Sequence, residues 1–334
     1  MRINRETLLK IAEQSVSQRV RSDRDIMAAY LSGTLLEESY MLGGTADIDL
    51  TFLHMDKPPV EREVQRLTEE VHLDIAHYDQ RDFRQARKLR LHPWLGPTIY
   101  ACKMLYDPQH FLDFTQASVR GQFNRPDYVL ERARQQLGHA REIWSSFASQ
   151  TPGRPTPKDL LTYLRAIDHA ANAVASLSGP PLTERRMLLQ FPARAEAAGK
   201  PGLTPAFLGM LGGSHVEAEI LHSWLPGWQA SLESLPAQAV PARLHPCRHA
   251  YYHQAFEAML QGESPAAILW PLLRTWTLAA ALSTEGSPGR IAWAEACQSL
   301  GLLGTGFAER VQALDAFLDL VEEAIEQWSR QVGE

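Results

Sequence analysis

The chain has 334 residues, and 33 Lys plus Arg against 39 Asp plus Glu leave a formal net charge of −6. That balance gives no overall attraction to nucleic acid or to an anionic membrane, and 45% hydrophobic with 22% charged residues excludes a disordered or collagen-like polymer. Three cysteines (Cys102, Cys247 and Cys297) form no CxxC pair, so a disulfide framework and a thiolate zinc site are both unexpected, and the cytoplasmic compartment is expected.

Residues 1–10 alternate charged and apolar side chains, without the continuous apolar stretch of a signal peptide. Leu8, Leu9, Ile11, Ala12, Val16 and Val20 recur at helical spacing and predict a helix over 6–20. The apolar run 26–31 reads as a strand that stops at the turn Ser32-Gly33-Thr34, and 35–40 as a short helix before Gly43-Gly44. The segment 46–54 alternates and is rich in Ile, Leu, Thr and Phe, which marks a strand. Pro58 and Pro59 introduce a predicted helix over 60–70. Alternation returns over 71–78 and over 100–106, where it stops at Asp107-Pro108.

Beyond residue 127 the strand signal vanishes. Helical periodicity covers 127–149, 157–177, 183–198, 214–224, 248–261, 264–282, 289–300 and 306–331, with loop-like breaks at 151–157 and 225–246. The most apolar stretch, 266–282, contains Pro271 and Arg274; a membrane span wants roughly 20 apolar residues with few charges, so a buried core helix is expected instead. At roughly 150 residues per domain the length predicts two domains. The expected fold class is α+β: a small head over 1–115, a mixed sheet with flanking helices, followed by an all-helical domain over 125–334.

The chemistry concentrates in the head. Asp47 and Asp49 are two apart in a predicted strand, so both side chains leave one face, while Ile48, Leu50 and Phe52 point into apolar packing. Asp is disfavoured in strands, and neighbouring carboxylates repel, so such a pair fits a hard divalent cation such as Mg²⁺. Asp74, between Leu73 and Ile75, is a third acid in a predicted strand. Should the two strands be neighbours, three carboxylates converge, enough to hold two ions for a phosphoryl or nucleotidyl transfer. Ser32-Gly33-Thr34 stands at a strand-to-helix turn, where main-chain N–H groups bind anions and Gly allows close approach of a phosphate.

These residues carry a resemblance. Gly33-Thr34, Asp47-Ile48-Asp49-Leu50 and Leu73-Asp74-Ile75, in that order, resemble the minimal nucleotidyltransferase domain of the DNA polymerase β-like superfamily over roughly the first 115 residues. Thr34 stands where that family usually has Gly or Ser, and keeps a hydroxyl. The order of domains is similar to the aminoglycoside and lincosamide nucleotidyltransferases, in which a catalytic head carries a helical C-terminal domain. The resemblance implies a Mg²⁺-dependent transferase. It would move a nucleoside monophosphate from an NTP, with ATP expected, to a hydroxyl of a small antibiotic-like acceptor, releasing pyrophosphate. Asp47, Asp49 and Asp74 would be the catalytic and metal-binding residues, with Asp74 either completing the metal site or taking the acceptor's proton, and a carboxylate of the helical domain as the alternative base. Ser32, Gly33 and Thr34 would bind the nucleotide phosphates.

Alternatives of another class are a non-catalytic nucleotide-binding sensor or antitoxin-like protein on the same fold, and a transferase that modifies other proteins. A nucleic-acid or membrane partner is not expected, since Arg81 to Arg90 is the only dense basic stretch and reads as a solvated helix face; a homodimer is compatible with the sequence. His249 and His253 lie four apart without a Glu that completes HExxH, and read as a surface pair. The spacing from Arg248 to His253 also resembles the Arg-x4-His element of a helical ribonuclease family. Trp224, Trp228, Trp270 and Trp276 read as core.

Overall fold

Asn4 opens the first helix, α1 (Arg5–Ser22), by accepting from the Thr7 amide at 2.9 Å. Leu8, Ala12 and Val16 then fall on one buried stripe. The computed structural model describes residues 4–236 and 240–334, which divide into two compact units, Met1–Tyr128 and Val129–Glu334.

The first unit is built on a five-stranded sheet of β1 (Ile26–Ser32), β2 (Ala46–His54), β3 (Arg62–Arg66), β4 (Val71–Asp79) and β5 (Lys103–Tyr106), in the order β3-β4-β2-β1-β5. β2 and β4 run parallel and the other pairs antiparallel, so the sheet is mixed. Alternation assigns the faces: Ile48, Leu50, Phe52, Leu73 and Ile75 pack with the α1 stripe in one core. A second core, with Tyr30, Leu53, Phe83, Leu89, Ile99 and Leu112, covers part of the other face. Its helices are α2 (Ala86–Leu91), α3 (Leu95–Ala101) and α4 (Phe111–Arg120). Leu112 and Val119 of α4 belong to this core, and the unit accordingly extends past residue 115.

Three local expectations for this unit are corrected. The helix expected over 60–70 is strand β3, because Thr68 closes a tight turn, its hydroxyl accepting from the Glu70 and Val71 amides at 3.2 and 3.1 Å, and the free edge of β4 offers ladder partners. The helix expected over 35–40 is a single 3-10 turn, Thr34–Leu36. Arg5 donates to the Leu35 and Leu36 carbonyls at 2.9 and 2.8 Å, engaging acceptors that a longer helix would use. The strand expected over 100–106 begins only at Lys103, since Ala101 still ends α3.

The second unit is helical: α5 (Pro126–Ser149) leads into it, followed by α6 (Pro157–Ser176), α7 (Met187–Ala197), α8 (Leu203–Met210), α9 (Ala218–Glu233), α10 (His249–Leu260), α11 (Leu269–Leu282), α12 (Pro288–Ser299) and α13 (Gly306–Val332). A Thr156–Asp159 capping box starts α6. Trp228, Trp270 and Trp276 are fully buried, and the Trp228 and Trp276 indoles donate to Thr275 and Ser231 at 2.9 and 2.8 Å. Helix α9 runs through 225–233, expected as loop. Pro226 and Gly227 mimic a break, yet a Cβ on Gly227 would stand 3.1 Å from Ala292 and 3.2 Å from Trp276, so this glycine serves close helix packing. Residues 237–239 of that expected loop lie outside the described residues. The segment Pro265–Leu282 is long and apolar enough to cross a membrane, but 72% of it is buried within the protein. Arg274 in it pairs with Asp168 at 3.2 Å.

Candidate active site

The period of two in β2 sends Asp47 and Asp49 to the face opposite α1. Register does the rest. β2 and β4 pair with Asp49 directly beside Asp74, so all three acids share one face, and one carboxylate oxygen from each lies within 4.8 Å of the others. Among the described residues no other group of three His, Cys, Asp or Glu side chains comes together in this way. Asp74 is buried, with 3% of its surface exposed, whereas Asp47 and Asp49 are half-buried.

Hard oxygen ligands of this kind suit Mg²⁺, and so much negative charge in one place calls for a cation. One cation is already present. Arg62 of β3 donates to both oxygens of Asp74, Nε to Oδ1 at 2.6 Å and Nη2 to Oδ2 at 2.7 Å. Its register partner on β4 is Ala76, whose short side chain leaves the guanidinium room to lie back toward Asp74.

The turn after β1 is built against the same acids. Ser32 pairs with Asp49 across the β1–β2 ladder. Gly33 follows with φ at +77°, a conformation that side-chain-bearing residues rarely adopt, and a Cβ there would stand 1.8 Å from Asp49 Oδ2. The main chain of the turn thus touches the carboxylate row, leaving a cradle that any side chain would fill. Thr34 is buried, and its hydroxyl faces the Tyr40 carbonyl at 3.4 Å. Ser32 and the Gly33 main chain remain at the site.

A cavity of about 190 Å³ opens over this face, lined among others by Ser32, Asp49, Asp74, Arg62, Tyr78 and Trp94. Trp94 keeps 39% of its surface exposed there. Its amide and that of Leu95 donate to His92 Nδ1 at 3.1 and 3.0 Å, which seats the start of α3 at the cavity wall. Burial raises the Tyr78 phenol, so it stays a neutral donor at physiological pH. Arg62, Tyr78 and Trp94 were invisible as site residues in sequence. Arg62 lies in the segment expected to be helical, and the others carry no local motif; the signal that marks Arg62 is its place on the same strand face as Val64, which needs β3 to be known as a strand.

On the opposite face a polar relay ties α1 to the sheet. Arg19 donates to both oxygens of Glu63 at 3.0 and 2.7 Å, Glu63 lies 3.0 Å from His77 Nε2, and His77 Nδ1 lies 2.9 Å from His54 Nε2. It anchors β3, and with it the backbone that carries Arg62. In the helical unit His249 and His253 are half-buried in α10, with no third ligand among the described residues. No protein-family model and no curated protein matches the chain.

Proposed function

We propose that this protein is a Mg²⁺-dependent nucleotidyltransferase of the DNA polymerase β-like type, moving a nucleoside monophosphate from an NTP, ATP foremost, to a hydroxyl of a small acceptor. The observation that supports this most is the convergence of Asp47, Asp49 and Asp74 within 4.8 Å, beside a turn whose glycine lies against Asp49. Asp47, Asp49 and Asp74 would hold Mg²⁺, which when bound supplies charge neutralisation for the triphosphate and the departing pyrophosphate. Ser32 and the Gly33 main chain are placed to orient the phosphates, and the missing Cβ lets them approach. The acceptor oxygen bonds the α-phosphorus as the bridge to the β-phosphate breaks. Its proton goes to a carboxylate, either Asp74, where that acid is not itself a metal ligand, or one from the helical unit. The small cavity and the net charge of −6 both favour a small acceptor over a polymeric one.

The test is a thermal-shift and product assay. NTP with Mg²⁺ is expected to raise the melting temperature where either alone does not, and a double Asp47→Asn/Asp49→Asn variant that folds is expected to lose the shift. Pyrophosphate release on adding aminoglycosides, lincosamides or other small hydroxylated compounds would identify the acceptor. Absence of a shift with all four NTPs would sink the proposal.

A further inference from the structure

We infer that Arg62 is a positioning residue that exchanges with the divalent cation: it holds Asp74 while the ion is absent and is displaced into a neighbouring acidic hollow when the ion enters. The inference rests on the metal-binding part of the proposed function and adds a residue and a movement to it.

The asymmetry of the pair is the first argument. The Asp74 side chain is 2% exposed and the Arg62 side chain 52% exposed, so their contributions to a separation differ. Arg62 can leave at little cost because its side chain is already half exposed and regains water when the pair separates. Asp74 is buried, so losing the bidentate charge of Arg62 costs it far more than the separation costs Arg62. A cation arriving among the three acids provides that charge. It also needs a carboxylate oxygen of Asp74, and Arg62 engages both of them. A guanidinium and a divalent ion on one carboxylate would repel across a few ångströms in a partly dry site.

The second argument is that Arg62 has somewhere to go. It lines two cavities: the one over the acid row, and a hollow of about 540 Å³ whose charged lining is otherwise Glu61, Asp79 and Asp82 against the single cation Lys57. Tyr78 lines both cavities. Asp79 is already paired with Arg81 through three contacts of 2.5 to 3.0 Å, so Glu61 and Asp82 are the receiving carboxylates. Glu63, the next residue, is fastened to Arg19 and His77, so β3 stays on the sheet while the Arg62 side chain swings.

The experiment measures Mn²⁺ affinity of the full chain without nucleotide, by titration with detection of the free ion's electron paramagnetic resonance. If Arg62 competes with the ion, Arg62→Gln binds Mn²⁺ tighter than the unaltered protein by about tenfold or more, the scale of one charge-assisted bidentate contact. Arg62→Lys, which retains the charge but not the fork, falls between. A merely structural Arg62 gives the opposite sign, because loosening Asp74 weakens the ion site; equal or weaker binding by a folded Arg62→Gln variant overturns the exchange while leaving the metal site standing. Should Arg62→Gln not fold, the unaltered protein decides: the Arg62 Nε–H resonance, identified by its loss in Arg62→Lys, is expected to lose protection from solvent exchange when Mg²⁺ is added. Retained protection at saturating Mg²⁺ overturns the exchange. Absence of Mn²⁺ binding in the folded, unaltered protein and variants alike would overturn both the exchange and the metal reading beneath it.

Discussion

Gly33 shows how one residue type can be required twice. Its positive φ and the 1.8 Å approach of a Cβ to Asp49 Oδ2 both forbid a side chain. Gly33→Ala therefore strains the turn and pushes Asp49 out of line together. It is expected to lower stability by about 1–3 kcal/mol, the range for a strained backbone position, and to abolish the thermal shift with Mg²⁺ and NTP. Urea denaturation beside the ligand shift separates the two effects; unchanged affinity would make the turn purely structural. Asp49→Asn keeps the shape but removes charge where it matters most in the transition state. Turnover is expected to fall at least about a hundredfold with the fold intact, by comparison of kcat and circular dichroism. The sequence spacing alone made Asp47 and Asp49 legible as a pair, because a strand's period of two is local. It could not reveal the contact between Gly33 and Asp49, which depends on how β1 returns against β2.

At the scale of elements, β3 is the instructive case. Residues 62–66 are polar and short, and a period of two over five residues is easily mistaken for part of a helix. The turn at Thr68 and the open edge of β4 decide in favour of a strand, and neither is a property of the segment itself. The seam between α5 and α6 carries a consequence for pH. His169 on α6 donates from Nδ1 to Gln136 on α5 at 2.5 Å. Burial, reinforced by His139, Arg165 and Arg274 nearby, holds His169 down to about 4 from its ordinary 6.5. The unfolded chain thus takes up this proton more readily than the folded one. The neutral His169 contributes stability that is complete above about pH 6.5 and is lost as the pH falls through about 4. His169→Gln is expected to flatten the fall of the urea midpoint across that window. An unchanged slope would assign the acid sensitivity to other groups.

For the molecule as a whole, the formal charge of −6 bears on the proposed small acceptor. Nucleic-acid binding draws most of its strength from phosphate contacts with basic side chains, and here part of the dense basic stretch is engaged within the protein. Arg81 pairs with Asp79, and Arg90 donates to the Ser118 carbonyl and to Gln122. Fluorescence anisotropy with labelled RNA or single-stranded DNA is expected to show no binding at about 0.15 M salt. Tight, salt-dependent binding would move the acceptor from a small molecule to a polymer.

The sequence by itself determined what local periodicity can carry: a mixed strand-and-helix head before a helical remainder, two acids on one strand face, and an apolar helix at the core. Each of these depends on spacing within a few turns or residues of one segment. Tertiary structure alone decided that Asp74 stands beside Asp49, that Thr34 turns inward to Tyr40, and that Arg62 pairs with Asp74. Strand order and register are settled by pairing between distant segments and by which apolar face each strand can bury. A shift of one residue in β4 would have carried Asp74 to the α1 face and dispersed the site.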